Sequence, residues 1–387
     1  MPVSLAEVTV PVSEIRIRKP ETAAAEPVAP ASSNGVALET TPSPVSDIRK
    51  FLLSRGSSSI ADRGFSGLMM ACAISIFAIV ALIAFELVLR SQLSWQKFGL
   101  SFFYKFNIDP DTHLPTFWDP VNGVFYALPF LYGTLVSSLI ALVIAVPLAI
   151  GVAIFLTEMC PKFLRGPLAF LTELLAAIPS VVYGLWAVFI LVPMLRQDVN
   201  PFFMRIFNDP YVVKLFGWTG IVGENGFFGG ANYGLGMLAA GVILAIMILP
   251  IISSLTREVM NAVPHSQREA ALALGATRWE MIRMGVLRNA RIGIVGSIIL
   301  GLGRALGETM AVAMVIGNRP EISKSFLSLG YSMASVIANE FSEASDNLYL
   351  SALIEIGLAL FIVTIIVNAL ARVLVWAVTR GAPARGN

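Results

Sequence analysis

The chain has 387 residues, 56% hydrophobic and only 13% charged. Soluble domains carry about 25% charged residues, so this composition excludes an ordinary water-soluble protein and marks an integral membrane one. The net charge of +2 singles out no polyanionic partner, and no nucleic-acid partner is expected.

Two cysteines, Cys72 and Cys160, and two histidines, His113 and His265, are available. They build neither a disulfide framework nor a Cys/His metal site of familiar spacing. No glycine loop of the G-x-x-x-x-G-K-S/T kind occurs, which places any nucleotide chemistry on another chain.

Residues 1–61 are rich in Pro, Ala, Ser, Thr, Val and Glu without sustained periodicity. They are expected to form a disordered cytoplasmic tail, because such a segment buries too little apolar surface to offset its ordering entropy. Within it, D-I-R-K-F-L-L-S-R (47–55) has the pattern of a short interfacial helix. The long apolar run starts too late for a signal peptide, and none is expected.

Apolar segments long enough to cross a hydrocarbon core of about 30 Å follow near 67–88, 132–155, 166–192, 233–255, 292–316 and 348–373. Residues 62–126 thus hold a first span and an outer loop, and 127–379 hold the remaining spans, with a long connecting loop at 256–291. Pro129, Pro147, Pro179 and Pro250 sit in or beside the spans and predict kinks, which membrane helices tolerate. Lys and Arg concentrate before the first span, between the second and third, between the fourth and fifth, and at the C-terminus. This bias puts both termini in the cytoplasm. The opposite loops are long and rich in Gly, Asn, Asp, Phe and Trp, as suits a surface that receives a partner.

The loop at 256–291 exceeds what a passive connection needs. Ser266-Gln267-Arg268-Glu269 reads as a capping box opening a helix. Ala270 to Leu274 favour that helix, and Gly275 supplies a left-handed stop. Thr277-Arg278-Trp279-Glu280 is a second capping box, opening a helix toward the membrane.

Inside the fifth segment stand Arg304 and Glu308, placed at i and i+4 where they can pair. An ionised side chain at bilayer centre costs roughly 2.5–3.5 kcal/mol and ordinarily faces a bundle interior or a watery path. A guanidinium is a planar fork of donors that matches phosphate oxygens. Gly301, Gly303 and Gly307 permit close helix approach. The alternative for Arg304 and Glu308 is a buried pair fixing helix register. Glu173 and Glu355 also fall within expected spans, near helix ends, and Glu86 is expected at the interface.

E-A-A-x-x-x-G, at Glu269, Ala270, Ala271 and Gly275, resembles the cytoplasmic loop of permease subunits in binding-protein-dependent ABC importers. The loop's end departs from that family: Arg288 stands after Leu287 where a proline is usual. Further motifs are W-D-P-V-N (118–122), A-L-P-F-L-Y-G-T-L-V-S-S-L (127–139), A-I-P-S-V-V-Y-G-L-W (177–186), I-M-I-L-P-I-I (246–252) and G-R-A-L-G-E-T (303–309). With these, residues 62–379 resemble the first permease subunits of phosphate-specific ABC importers.

The resemblance implies an all-α, six-helix type I importer transmembrane domain in the cytoplasmic (inner) membrane, with a cytoplasmic coupling helix. It implies a heterodimer with a sister permease, two ATPase subunits and an extracytoplasmic phosphate-binding protein. It assigns Glu269, Ala270, Ala271 and Gly275 to ATPase coupling, and Arg304 and Glu308 to the translocation path. No cofactor is expected on this chain, since ATP and Mg belong to the ATPase, and no catalytic residue is assigned. The rival readings are a permease for another oxyanion or small solute, a membrane sensor of phosphate supply, and a membrane-embedded enzyme using Glu173, Glu308 or Glu355. For the last, no nucleophile or metal cluster is visible.

Overall fold

The computed structural model describes residues 58–108 and 115–380. The expected disordered tail and the helix at 47–55 lie outside these residues, except that 58–61 already belong to the first helix. The helices are α1 (Ser58–Arg90), α2 (Leu128–Ile154), α3 (Lys162–Ala177), α4 (Ser180–Phe207), α5 (Met237–Asn261), α6 (His265–Ala273), α7 (Arg278–Leu306), α8 (Met310–Val315), α9 (Met333–Glu340) and α10 (Asn347–Arg380). Two short antiparallel ladders pair Asn107–Ile108 with Pro115–Thr116 and Trp118–Asp119 with Val124–Phe125.

The chain divides into two compact units, Met1–Cys72 and Ala73–Asn387. In the first, the described part is the opening of α1. Every α1 residue from Asp62 to Ile83 is exposed, and a helix apolar all round belongs in lipid or against another chain. Among the described residues, six helices are long and apolar enough to cross a membrane: Asp62–Arg90, Leu128–Met159, Ser180–Phe207, Met237–Asn261, Arg278–Leu306 and Asn347–Val373. The protein is an all-α, multi-pass membrane protein.

Two expected spans are drawn differently. The segment at 166–192 is split. α3 ends at Ala177, Ile178 and Pro179 are extended (ψ 130° and 142°), and the membrane-length helix is α4. Proline explains the break, since it lacks an N–H and drives the preceding residue out of the helical region. No residue of α3 is buried. The fifth span begins earlier than expected, at Arg278, and ends at Leu306. A non-helical step at Gly307–Thr309 then separates it from α8. Pro129 instead opens α2 in its first turn, and Pro147 and Pro250 are accommodated inside helices.

α5 is the central helix of the second unit. Ala141, Ala145 and Ala149, spaced by four on α2, face Ala240, Ile243 and Leu244 of α5 in one buried cluster. Small residues let the two backbones approach closely. Gly241 is required there, because a Cβ would meet Ile140 at 2.4 Å.

The end of the unit carrying the ladders closes over an aromatic cluster of Phe102, Trp118, Phe125, Phe130 and Tyr349. Its polar centre is Glu340 on α9. This carboxylate accepts from Trp118 Nε1–H at 2.6 Å, Tyr349 O–H at 2.7 Å and Tyr331 O–H at 3.2 Å. Burial pushes the Tyr331 hydroxyl above the ordinary phenol range. At the opposite end, Met260, Val263, Met281, Ile282 and Val286 form a third cluster beneath α6.

Candidate translocation and coupling sites

Pro264 (φ −56°, ψ 141°) turns the chain into α6, so the helix starts at His265, one residue before the expected capping box. Ser266 therefore lies inside the helix and caps nothing. Glu269 is exposed and has no hydrogen bond or ion pair among the described residues, so the expected self-capping role is absent. The stop forms as expected at Gly275, whose φ is +82°. The Gly275 N–H reaches the Leu272 carbonyl at 3.0 Å and the Ala276 N–H reaches that of Ala271 at 3.2 Å, which is a Schellman ending. The second capping box is present: the Thr277 N–H donates to the Glu280 carboxylate at 2.8 Å, and the Glu280 N–H donates to Thr277 Oγ1 at 3.3 Å.

Two neighbouring side chains of α6 bind it to the rest of the unit. Gln267 Oε1 accepts from Asn289 Nδ2 of α7 at 2.6 Å. Arg268 makes three contacts: Nε to Glu158 Oε1 at 3.1 Å, Nη1 to the Val263 carbonyl at 2.6 Å, and Nη2 to the Met260 carbonyl at 2.8 Å. The Arg268 and Glu158 side chains are only 11% and 9% exposed. Between α6 and the start of α7 lies a cleft of about 600 Å³ whose walls include Ala270, Ala271, Leu274 and Gly275. Leu274 is 90% exposed, and Trp279 in the first turn of α7 is exposed as well.

Arg304 stands in the last turn of α7 and is exposed; Glu308 lies within the break and is half-buried. Because the helix stops at Leu306, the two residues do not share a helix face. Among the described residues no ion pair or hydrogen bond joins them. The register-fixing pair is therefore not formed within this chain. Arg304 lies within electrostatic reach of Tyr183 on α4. Of the three glycines, Gly301 packs on Ile252, whereas Gly303 has nothing within 4 Å of a would-be Cβ, and Gly307 meets only the Gly303 carbonyl at 3.8 Å. The side of α7 carrying Gly303 and Arg304 is open.

Residues 145–380 match the family described as the binding-protein-dependent transport system inner membrane component. The chain belongs to this family. Among its relatives, the phosphate transport system permease protein PstC of Mesorhizobium japonicum is 43% identical over 314 residues, 81% of this chain and 90% of that protein. The protein of the same name from Haemophilus influenzae is 43% identical over 78% of this chain and 89% of its own. The fold is also that of a solved bacterial ABC transporter involved in the import of the acidic polysaccharide alginate. That match has a TM-score of 0.50 at 13% identity, covering 83% of this chain and 99% of that one. The chain is accordingly an ABC transporter permease subunit.

Within this permease, the residues singled out in the sequence fall into two places. Ala270, Ala271 and Gly275 line one cleft with Glu269 beside it on α6, while Arg304 precedes the break after α7 and Glu308 lies within it. Sequence reasoning missed Gln267, Arg268, Glu158 and Tyr183. Gln267, Arg268 and Tyr183 occur within noted motifs and Glu158 in none, and the bond between Arg268 and Glu158 joins residues distant in the chain. Of the other carboxylates, Glu173 lies on α3 and pairs with Arg257, and Glu86 pairs with Arg90 one turn away. Glu355 is 1% exposed on α10, with neither oxygen hydrogen-bonded among the described residues.

Proposed function

We propose that this chain is the membrane-spanning subunit of an ATP-driven importer that moves inorganic phosphate across the cytoplasmic membrane by alternating access. It would work with a sister permease, two ATPase subunits carrying ATP and Mg, and an extracytoplasmic phosphate-binding protein. Both termini and α6 would face the cytoplasm, as the distribution of Lys and Arg suggests. The chain itself would carry out no covalent step.

The observation that carries this reading is the state of Arg304. It is an exposed guanidinium on a membrane-length helix, with no acceptor among the described residues. Facing lipid, it would cost several kcal/mol. Facing a sister subunit across a watery path, it offers a planar fork to phosphate oxygens. The open glycines beside it suit a second helix packed close. The phosphate transport names of the two relatives and the G-R-A-L-G-E-T sequence support phosphate over another oxyanion. Glu308, within the break, would limit how long the anion dwells. At the other end, the uncommitted Glu269, exposed Leu274 and the cleft around Gly275 would receive the ATPase.

The test is uptake of labelled phosphate at low external concentration by cells lacking this chain, with sulfate uptake run in parallel. Selective loss of phosphate uptake, restored by the wild-type chain, is the expected result. Unchanged phosphate uptake would remove the substrate assignment and the role of Arg304 with it.

A further inference from the structure

α6 is fastened by two consecutive residues that pull on different helices. On a helix turning about 100° per residue, Gln267, Arg268 and Glu269 point in three directions. Gln267 holds α7 through Asn289. Arg268 holds the Met260 carbonyl in the last turn of α5 and the Val263 carbonyl just past its end, and reaches Glu158 in the wide turn that ends the second span. Glu269 is left free.

We infer that Arg268 is the positioning residue that spreads a displacement of α6 into the second and fourth spans together, while Gln267 passes the same displacement to the fifth. The inference rests on the proposed ATPase-coupling role of α6. A hinge at Gly275 alone would pass motion only along the chain into α7. The Arg268 fork gives a second route that does not follow the chain.

Its geometry suits that task. All three contacts are charge-assisted, and two of them go to backbone carbonyls at and just past the end of α5. The pair is nearly buried, so solvent screens it little. The guanidinium is planar, so its contacts move as one body. Glu158 and Arg268 are 110 positions apart, so the bond joins elements that sequence does not. Arg165 reinforces the same turn by donating to the Thr157 carbonyl at 2.7 Å. A push on α6 therefore meets a braced second span and not a loose loop.

The experiment uses the complete transporter in liposomes and reads phosphate moved per ATP hydrolysed, with assembled complex quantified in parallel. Glu158→Gln keeps the shape and spares the bonds from Arg268 to α5. It is expected to assemble normally, hydrolyse ATP at the wild-type rate, and lower the transport ratio about tenfold, the scale of one charge-assisted hydrogen bond. Arg268→Lys, which keeps the charge and loses the fork, is expected to do the same. A wild-type ratio in both variants overturns the inference, as does a fall that merely tracks loss of assembled complex. If the wild-type transporter carries another solute, the phosphate assignment fails, yet the ratio measured with that solute still judges Arg268. If the wild-type chain binds no ATPase, both readings fall.

Discussion

Arg268 and Arg304 are both arginines of the segment from α6 to the end of α7, yet their surroundings are opposite. Arg268 is nearly buried and saturated, with a carboxylate and two carbonyls around it. Arg304 is exposed and has no hydrogen-bonded or ion-paired partner among the described residues. A guanidinium with each of its three nitrogens hydrogen-bonded is part of the frame. One left open on a membrane-length helix waits for something from outside the chain. Residue type is the same in both cases, and only the accounting of donors and acceptors separates joint from site.

The largest effect should come from the saturated arginine. Removing one member of a nearly buried pair costs about 3 kcal/mol, so Arg268→Gln should lower the melting temperature of the purified transporter, while Arg304→Gln should leave it unchanged. Equal shifts in a thermal melt would erase the contrast between them. Next, Arg304→Gln should reduce phosphate uptake by assembled complexes roughly 30-fold, corresponding to about 2 kcal/mol for a hydrogen bond to a charged group. Wild-type uptake in that variant would take Arg304 out of the path.

A smaller effect tests whether saturation means framework at the other end of the molecule. Glu340 is enclosed by three neutral donors, and Trp118→Phe removes one of them. The expected loss is about 1.5 kcal/mol of stability with the transport ratio intact, read by melting and by uptake per ATP. A collapse of that ratio at normal stability would make the aromatic end more than framework. The smallest effect separates the two faces of α7. Gly301→Ala pushes a Cβ to 2.7 Å from Ile252 and should destabilise the chain by about 1 kcal/mol. Gly303→Ala meets nothing within the chain, so its cost should appear only as weaker co-purification with the sister permease.

Much of this was legible along the chain because the signals are local. Apolar length marked the spans, Gly275 and Thr277-x-x-Glu280 marked the elbow, and the motif residues placed α6 and the Arg304 region. Local signals also misled where two competed. Pro264 displaced the capping box at Ser266, Pro179 split the third segment, and the step at Gly307 separated Arg304 from Glu308. By itself, then, the sequence determined that the chain has helices apolar and long enough to span the membrane, and where the elbow after α6 lies. Hydrophobic length, helix caps and the cost of intramembrane charge act over a few residues.

Tertiary structure alone decided which charges are spent and which are free. Glu158 meets Arg268 and Trp118 meets Glu340 across 110 and 222 positions, and Arg304 has no hydrogen-bonded or ion-paired partner among the described residues. A side chain's partners are set by how helices pack, and that packing leaves no periodic trace in the sequence of either helix.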